Sequence, residues 1–180
     1  MFKITTLITF FLCISFFGQA QNERVEGKVI KDYGETFQVN DPDIKTDTSS
    51  EFKLILDISQ SSQDKSVINK NIVTAARFLN MHANEGVAPN KLKVAMTVHA
   101  GAWQDILTHK AYKKRFGVEN PNLELIDKLA NAGADIILCG QTASFRNIPK
   151  EDINPNVKLA LSAMTALIQY QNNGYTFIKF

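Results

Sequence analysis

With 20 basic and 18 acidic residues among 180, the chain has a formal charge of +2, a balance that argues against nucleic acid and against an anionic membrane surface as partners. Hydrophobic residues make up 44%, which suits a single domain with a real core. The two cysteines, Cys13 and Cys139, fall in very different sequence.

The first segment reads as an export signal. Lys3 gives a positive start, Ile4 to Phe17 form an almost uncharged apolar run, and Gly18-Gln19-Ala20 offers small residues before a cut. The run is too short to span a bilayer comfortably, and polar sequence follows at once. We expect residues 1–20 to be a signal peptide cleaved after Ala20, with the mature protein starting at Gln21 in a Gram-negative periplasm. Cys13 follows Phe11-Leu12 rather than small residues, which argues against a lipoprotein site. Cleavage lowers the net charge to about +1 and leaves Cys139 as the only cysteine. An intramolecular disulfide is then excluded, and a single thiol in an oxidising compartment needs either burial or a redox purpose.

Residues 21–50 are polar and interrupted by Gly27, Gly34 and Pro42. Lys28-Val29-Ile30 and Thr36-Phe37-Gln38-Val39 suggest a small hairpin around Asp32-Tyr33-Gly34, in an N-terminal arm lying over a domain of residues 51–180. From residue 51 the pattern is regular. Phe52 to Ile58 reads as a strand. Ser66 to Glu85 then places Ile68, Ile72, Ala75, Ala76, Leu79 and Ala83 on one helical face, closed by Gly86. Leu92 to Val98 is a second strand. A loop, His99 to Trp103, leads into a helical stretch ending at Phe116 and Gly117. Asn120 as cap and Pro121 at the first position open another helix, which Gly133 closes. Leu123, Ile126, Leu129 and Ala130 supply its apolar stripe, and Glu124 and Lys128 pair at i, i+4. Ala134 to Cys139, Val157 to Leu161 and Tyr175 to Phe180 are further strands. A short helix follows Cys139, and Ser162 caps a helix from Ala163 to Asn173.

Strands alternating with helices in this rhythm predict an α/β fold with a mainly parallel sheet of about five strands and helices on both faces. Sites in such sheets form beyond the carboxyl ends of the strands. Asp57 and Ser59, His99 to Trp103, Cys139 to Thr142, and Ser162 all fall there.

Cys139 leads this group. A thiol between a strand end and a helix start meets free backbone N–H groups, which stabilise the thiolate that attacks sulfur; the competing expectation is a buried cysteine acting as a small hydrophobe. His99 is a candidate proton carrier, or a strand-end histidine bonded to the backbone. Gly101, Trp103, Gly140, Gln141, Thr142 and Ser162 are candidate ligand-binding residues on the rim, with ordinary turn, capping and packing roles as the alternative. Lys110, Lys113, Lys114 and Arg115 read as a solvated face. The histidines at 82, 99 and 109 show no paired spacing for a metal, and no phosphate loop or dinucleotide fingerprint is present, so no cofactor is implied.

Five segments in order carry a family resemblance. They are Val98 to Ala102, Tyr112 to Val118, Asn120 to Leu123, Cys139-Gly140-Gln141, and Leu161 to Leu167. Together with a glycine-rich arm they resemble the DsrE/DsrF-like family, specifically its exported single-domain branch. The resemblance implies a three-layer α/β/α domain, often assembled as trimers or hexamers, so a homo-oligomer (a trimer) is expected. Some members carry sulfur as a cysteine persulfide. This implies a sulfur carrier or thiol-redox protein using Cys139, served by a sulfur donor and acceptor, rather than a turnover enzyme. The alternative is a small-ligand-binding or assembly module in which Cys139 is only packed.

Overall fold

The computed structural model describes residues 24–179; the expected signal peptide and Phe180 lie outside them. Two short strands come first, β1 (Arg24–Val25) and β2 (Thr36–Phe37). The domain then runs β3 (Phe52–Ile58), α1 (Lys70–Asn84), β4 (Leu92–Val98), α2 (His109–Phe116), α3 (Leu123–Asn131) and β5 (Asp135–Cys139). It continues through α4 (Gly140–Phe145), β6 (Val157–Ala160), α5 (Ala163–Asn172) and β7 (Thr176–Ile178).

The five main strands lie in the order β6-β5-β4-β3-β7, and every pairing is parallel. Both faces of the sheet are covered, which is why the central strands read as continuous apolar runs. Leu54, Leu56, Val94, Met96, Ile136 and Leu138 pack under α1 and α3, against Ile72, Leu79, Leu125 and Leu129. The other face is thinner. Ile55, Ala95 and Ile137 meet Ala166 of α5, with Leu167, Tyr170 and Tyr175 around them. This is the expected three-layer α/β/α architecture.

Three local boundaries differ from the sequence reading. The first helix begins at Lys70, not Ser66, because Asn69 caps it by accepting from Asn71 N at 2.9 Å. Ile68 keeps the helical apolar phase because the residue before a cap also packs on the core. The stretch after His99 is not one helix. A 3₁₀ turn (Ala100–Ile106) ends at buried Leu107, and Thr108 then caps α2 by accepting from Ala111 N. Asn120 does not cap the third helix, which begins at Leu123. Its buried amide instead donates to the carbonyls of Asp105 and Leu107, and Pro121 stands ahead of the helix. Glu124 and Lys128 do pair, at 3.0 Å.

The hairpin of the arm is also displaced. Arg24–Val25, rather than residues 28–30, pairs antiparallel with Thr36–Phe37. Residues 28–34 are occupied with α1 instead. Ile30 is buried in the main core, and Asn80 binds the backbone around it. The Asn80 Oδ1 accepts from Val29 N and Ile30 N, while Nδ2 donates to the carbonyls of Ile30, Tyr33 and Gly34. Gly34 has φ +67°, and a methyl group there would lie 2.5 Å from Arg77 N. Only glycine lets the arm lie this close to the helix.

Candidate functional site

Side chains alternate across a strand, so the residues two beyond Ile55, Ala95 and Ile137 share the α5 face of the sheet. They are Asp57, Thr97 and Cys139, with His99 just past the end of β4. The register pairs Asp57 with Thr97 and Cys139 with Ala160. The carboxyl ends of neighbouring strands therefore present an acid, a histidine and a thiol on one side, beside the start of α5.

Cys139 ends β5 and is the N-cap residue of α4, with no side-chain capping hydrogen bond to the first N–H groups of that helix. Gly140 makes the turn possible. A side chain there would come within 2.6 Å of the Ala160 carbonyl oxygen, so β6 passes too close for any other residue. Gln141 reinforces the crossing by donating from Nε2 to the Leu161 carbonyl at 3.3 Å. The chain then reaches Ser162, which caps α5 by accepting from Thr165 N at 3.0 Å. The start of a second helix, at Ala163, is thereby brought to the same sulfur.

The thiol is buried, with 6% of its residue surface exposed. Burial pushes its pKa up. The nearby N–H groups of Thr142, Ala163 and Gln141 and the Thr142 side chain oppose this, and the net direction is below the ordinary cysteine value.

His99 has a different partner from the one its position suggests. Its Nε2 lies 2.6 Å from Oδ1 of Asp57, on the strand away from β5, and no hydrogen bond joins it to Cys139 among the described residues. Asp57 also accepts from Thr97 Oγ1 at 3.1 Å and forms an ion pair with Lys179 at 2.8 Å. Burial alone would raise the Asp57 pKa; Lys179 and His99 more than offset it, so the carboxyl titrates below its usual range. An ionised carboxylate only accepts, so the His99 nitrogen facing it, Nε2, carries a proton.

The remaining predicted residues divide. Gln141 and Thr142 join the Cys139 surroundings, and Gly140 shapes them. The Ser162 hydroxyl is engaged in its cap. Gly101 packs against the loop after β3, donating from its N–H to the Ser59 carbonyl at 2.9 Å. Trp103 is half-buried over Leu107 and Tyr112, with the guanidinium groups of Arg115 and Arg146 5.6 and 5.9 Å from its ring. Asp57 stood among the strand ends in sequence without a partner, its signal being an acid inside the apolar run Phe52–Ile58. Lys179 had no signal, since its role depends on the last strand returning beside β3.

A buried polar network supports the rim from below. Asp105 accepts from Ser61 Oγ at 2.6 Å and Asn69 Nδ2 at 2.7 Å, and Asn69 N donates to Asn122 Oδ1 at 2.7 Å. It ties the loop after β3 to the starts of α1 and α3. No cluster of three or more His, Cys, Asp or Glu suited to a metal occurs among the described residues. An open groove of about 630 Å³, lined by Phe52, Phe78, Met81, His82 and Ile178, shares no residue with the thiol's surroundings.

Fold and site together define a parallel three-layer α/β protein with a buried free thiol at the carboxyl rim of its sheet. The chain belongs to the DsrE/DsrF-like family, whose model matches residues 53–180. Its fold is similar to a protein of unknown function, MTH1491, from Methanobacterium thermoautotrophicum, with TM-score 0.52 and 11% identity over 72% of this chain and all of that one. It is also similar to the ychN protein from E. coli, with TM-score 0.50 and 12% identity over 72% of this chain and 99% of that one. At these identities the two structures speak for the fold alone. No curated protein sequence matches the chain.

Proposed function

We propose that this protein is a sulfur carrier that holds a persulfide on Cys139. The observation that carries this reading is the convergence of two helix starts on a covered thiol, with a net lowering of its pKa. The chemistry balances without an added oxidant. The Cys139 thiolate attacks the outer sulfur of a donor persulfide, R–S–SH. The new S–S bond forms as the donor's breaks, and R–S⁻ leaves and takes up a proton. Passing the sulfur on repeats the exchange with an acceptor thiolate. His99 serves as proton carrier through Nδ1, by way of solvent, because Asp57 holds the other nitrogen.

Incubation with a small persulfide donor should add about 32 Da, one sulfur, to the Cys139 peptide, and Cys139→Ser should abolish the gain without unfolding the domain. A Cys139 that resists both donor and alkylating agent until the protein is denatured would leave the packed-thiol alternative, a ligand-binding or assembly module.

The same reading places the carrier in the periplasm, released by cleavage after Ala20. The support is the charged start, apolar run and small residues of the first segment. N-terminal sequencing of protein from the producing cell should begin at Gln21, and retained Met1 on a cytoplasmic protein would refute it. The carrier is further proposed to work as a homo-oligomer, a trimer. Leu161, Met164 and Ile168 line up along the start and outer side of α5 and are 71%, 72% and 58% exposed, an apolar stripe unusual for a free surface. Phe177 and Ile178 on β7 are also exposed, on opposite faces of the sheet edge.

A further inference from the structure

We propose that the open groove between α1 and the edge strand β7 binds a medium-chain alkyl carboxylate. Arg77 holds the acid, and Phe52, Phe78 and Ile178 hold the chain. The groove shares no residue with the surroundings of Cys139, so the proposal does not rest on the thiol.

The groove follows from the way the sheet ends. Thr176 lies in register beside Leu54 and Ile178 beside Leu56, so all four face the α1 side. Leu54 and Leu56 are buried in the core beneath α1, whereas Thr176 and Ile178 are exposed. The helix covers β3 but not β7, which leaves the edge strand as a floor and the flank of α1 as a wall. Thr74, Phe78, Met81 and His82 form that flank, at the three- and four-residue spacing of one helix side. Phe52 closes one end, its ring centroid 4.7 Å from that of His82, which in turn lies 4.5 Å from Phe78. The His82 Nδ1 is 2.8 Å from the Phe78 carbonyl oxygen, so the ring is fixed against the wall. The space is about 630 Å³. That falls inside the range of about 300–1,000 Å³ typical of small-molecule sites.

Charge says what the occupant carries. Glu51 and Lys53, at the closed end, pair with each other at 3.1 Å. Lys179, next to Ile178, is committed to Asp57 on the opposite face of the sheet. The exposed Arg77 on the wall makes no ion pair and no side-chain hydrogen bond among the described residues. An uncommitted guanidinium therefore stands beside an aromatic and aliphatic trough. Its planar fork matches a carboxylate through two parallel N–H donors. Each methylene laid along Phe52, Phe78 and Ile178 leaves water, which favours a chain over a compact anion. A cationic amphiphile of the same length gains the apolar contact and is repelled by Arg77.

The test uses dodecanoate below its micelle concentration and protein labelled at its methionine methyl groups, followed by NMR. Met81 lines the groove, while Met96 is buried in the sheet and Met164 is exposed on α5, so the three report separate places. Dodecanoate should shift the Met81 signal saturably and leave Met164 in place. Dodecyltrimethylammonium should bind about tenfold more weakly, and Arg77→Gln should weaken dodecanoate by about the same factor with melting unchanged. Ile178→Ser, on the exposed floor, should weaken it several-fold with Arg77 intact. A shift at Met164 instead of Met81 would move the chain to the α5 stripe and overturn the assignment. Equal affinity for the two amphiphiles, or an Arg77→Gln protein that binds as tightly as wild type, would reduce it to apolar adsorption. A Met81 signal that moves with protein concentration alone would give the groove to a second copy of the chain. Co-sedimentation with phosphatidylglycerol vesicles, without binding of dispersed dodecanoate, would give it to a membrane surface. Either result also overturns the proposal.

Discussion

Asp57 shows how one buried side chain can organise an edge of the site. Its carboxylate is 8% exposed and holds Thr97, His99 and Lys179 together across three strands. Its folded-state pKa lies below that of the unfolded chain, so the carboxylate adds stability above about pH 4 and loses it as the pH falls through the lower folded value. Asp57→Asn should therefore cost about 1–3 kcal/mol at pH 7, by removing charged hydrogen bonds to His99 and Lys179. Urea unfolding at pH 7 and at pH 3 checks the sign. The difference between variant and wild type should shrink at the lower pH, and an equal difference at both would show that the charge is not what matters. Lys179 on the final strand has its partner on β3, so the end of the chain is anchored beside the histidine.

At the scale of elements, the arm is held to α1 largely by one residue. Asn80 is fully buried and satisfies both ends of its amide with backbone groups of residues 29–34. These groups would otherwise be buried without partners, and unmet buried donors and acceptors cost more than a made bond contributes. Asn80→Ala should destabilise the protein by about 3 kcal/mol. Limited proteolysis should then cut first within residues 24–50, while the sheet domain stays intact. An arm that remains protected would mean that Ile30 and the two glycines hold it without the amide. The short α4 matters for a different reason. Its register is locked by Gly140 under the Ala160 carbonyl, which fixes the helix start directly after Cys139.

At the scale of the whole molecule, the two faces of the sheet are unequal. Two helices cover one side and α5 alone covers the other, and α5 turns Met164 and Ile168 outward. An association that buries this side should disperse when charge is introduced. Light scattering should give about three times the monomer mass for wild type, and Met164→Lys with Ile168→Glu should reduce it to one while the fold persists. A monomeric wild type at micromolar concentration would remove the proposal. The stripe starts at Leu161, whose carbonyl accepts from Gln141 two residues after Cys139, so the stripe and the thiol are physically adjacent.

The sequence by itself determined the class of fold. Apolar runs too continuous for a one-sided sheet, spaced by helices with recognisable ends, leave a covered parallel sheet as the consistent solution, and that sheet is what forms. It also determined which strand ends form the rim, and hence that Cys139, His99 and Thr142 stand near one edge. Tertiary structure decided how they are used. Asn69 and Thr108 each end a helical pattern that periodicity extends or merges, because a cap depends on where a side chain finds a free N–H. Asn120 was read as such a cap and is taken instead by carbonyls of the turn after β4. The pairing of His99 with Asp57, the ion pair from Lys179, and the hydrogen bond from Ala100 to Thr142 join residues more than forty positions apart. Local pattern holds no record of such contacts; they exist only once parallel strands lie in register and bring their carboxyl ends side by side.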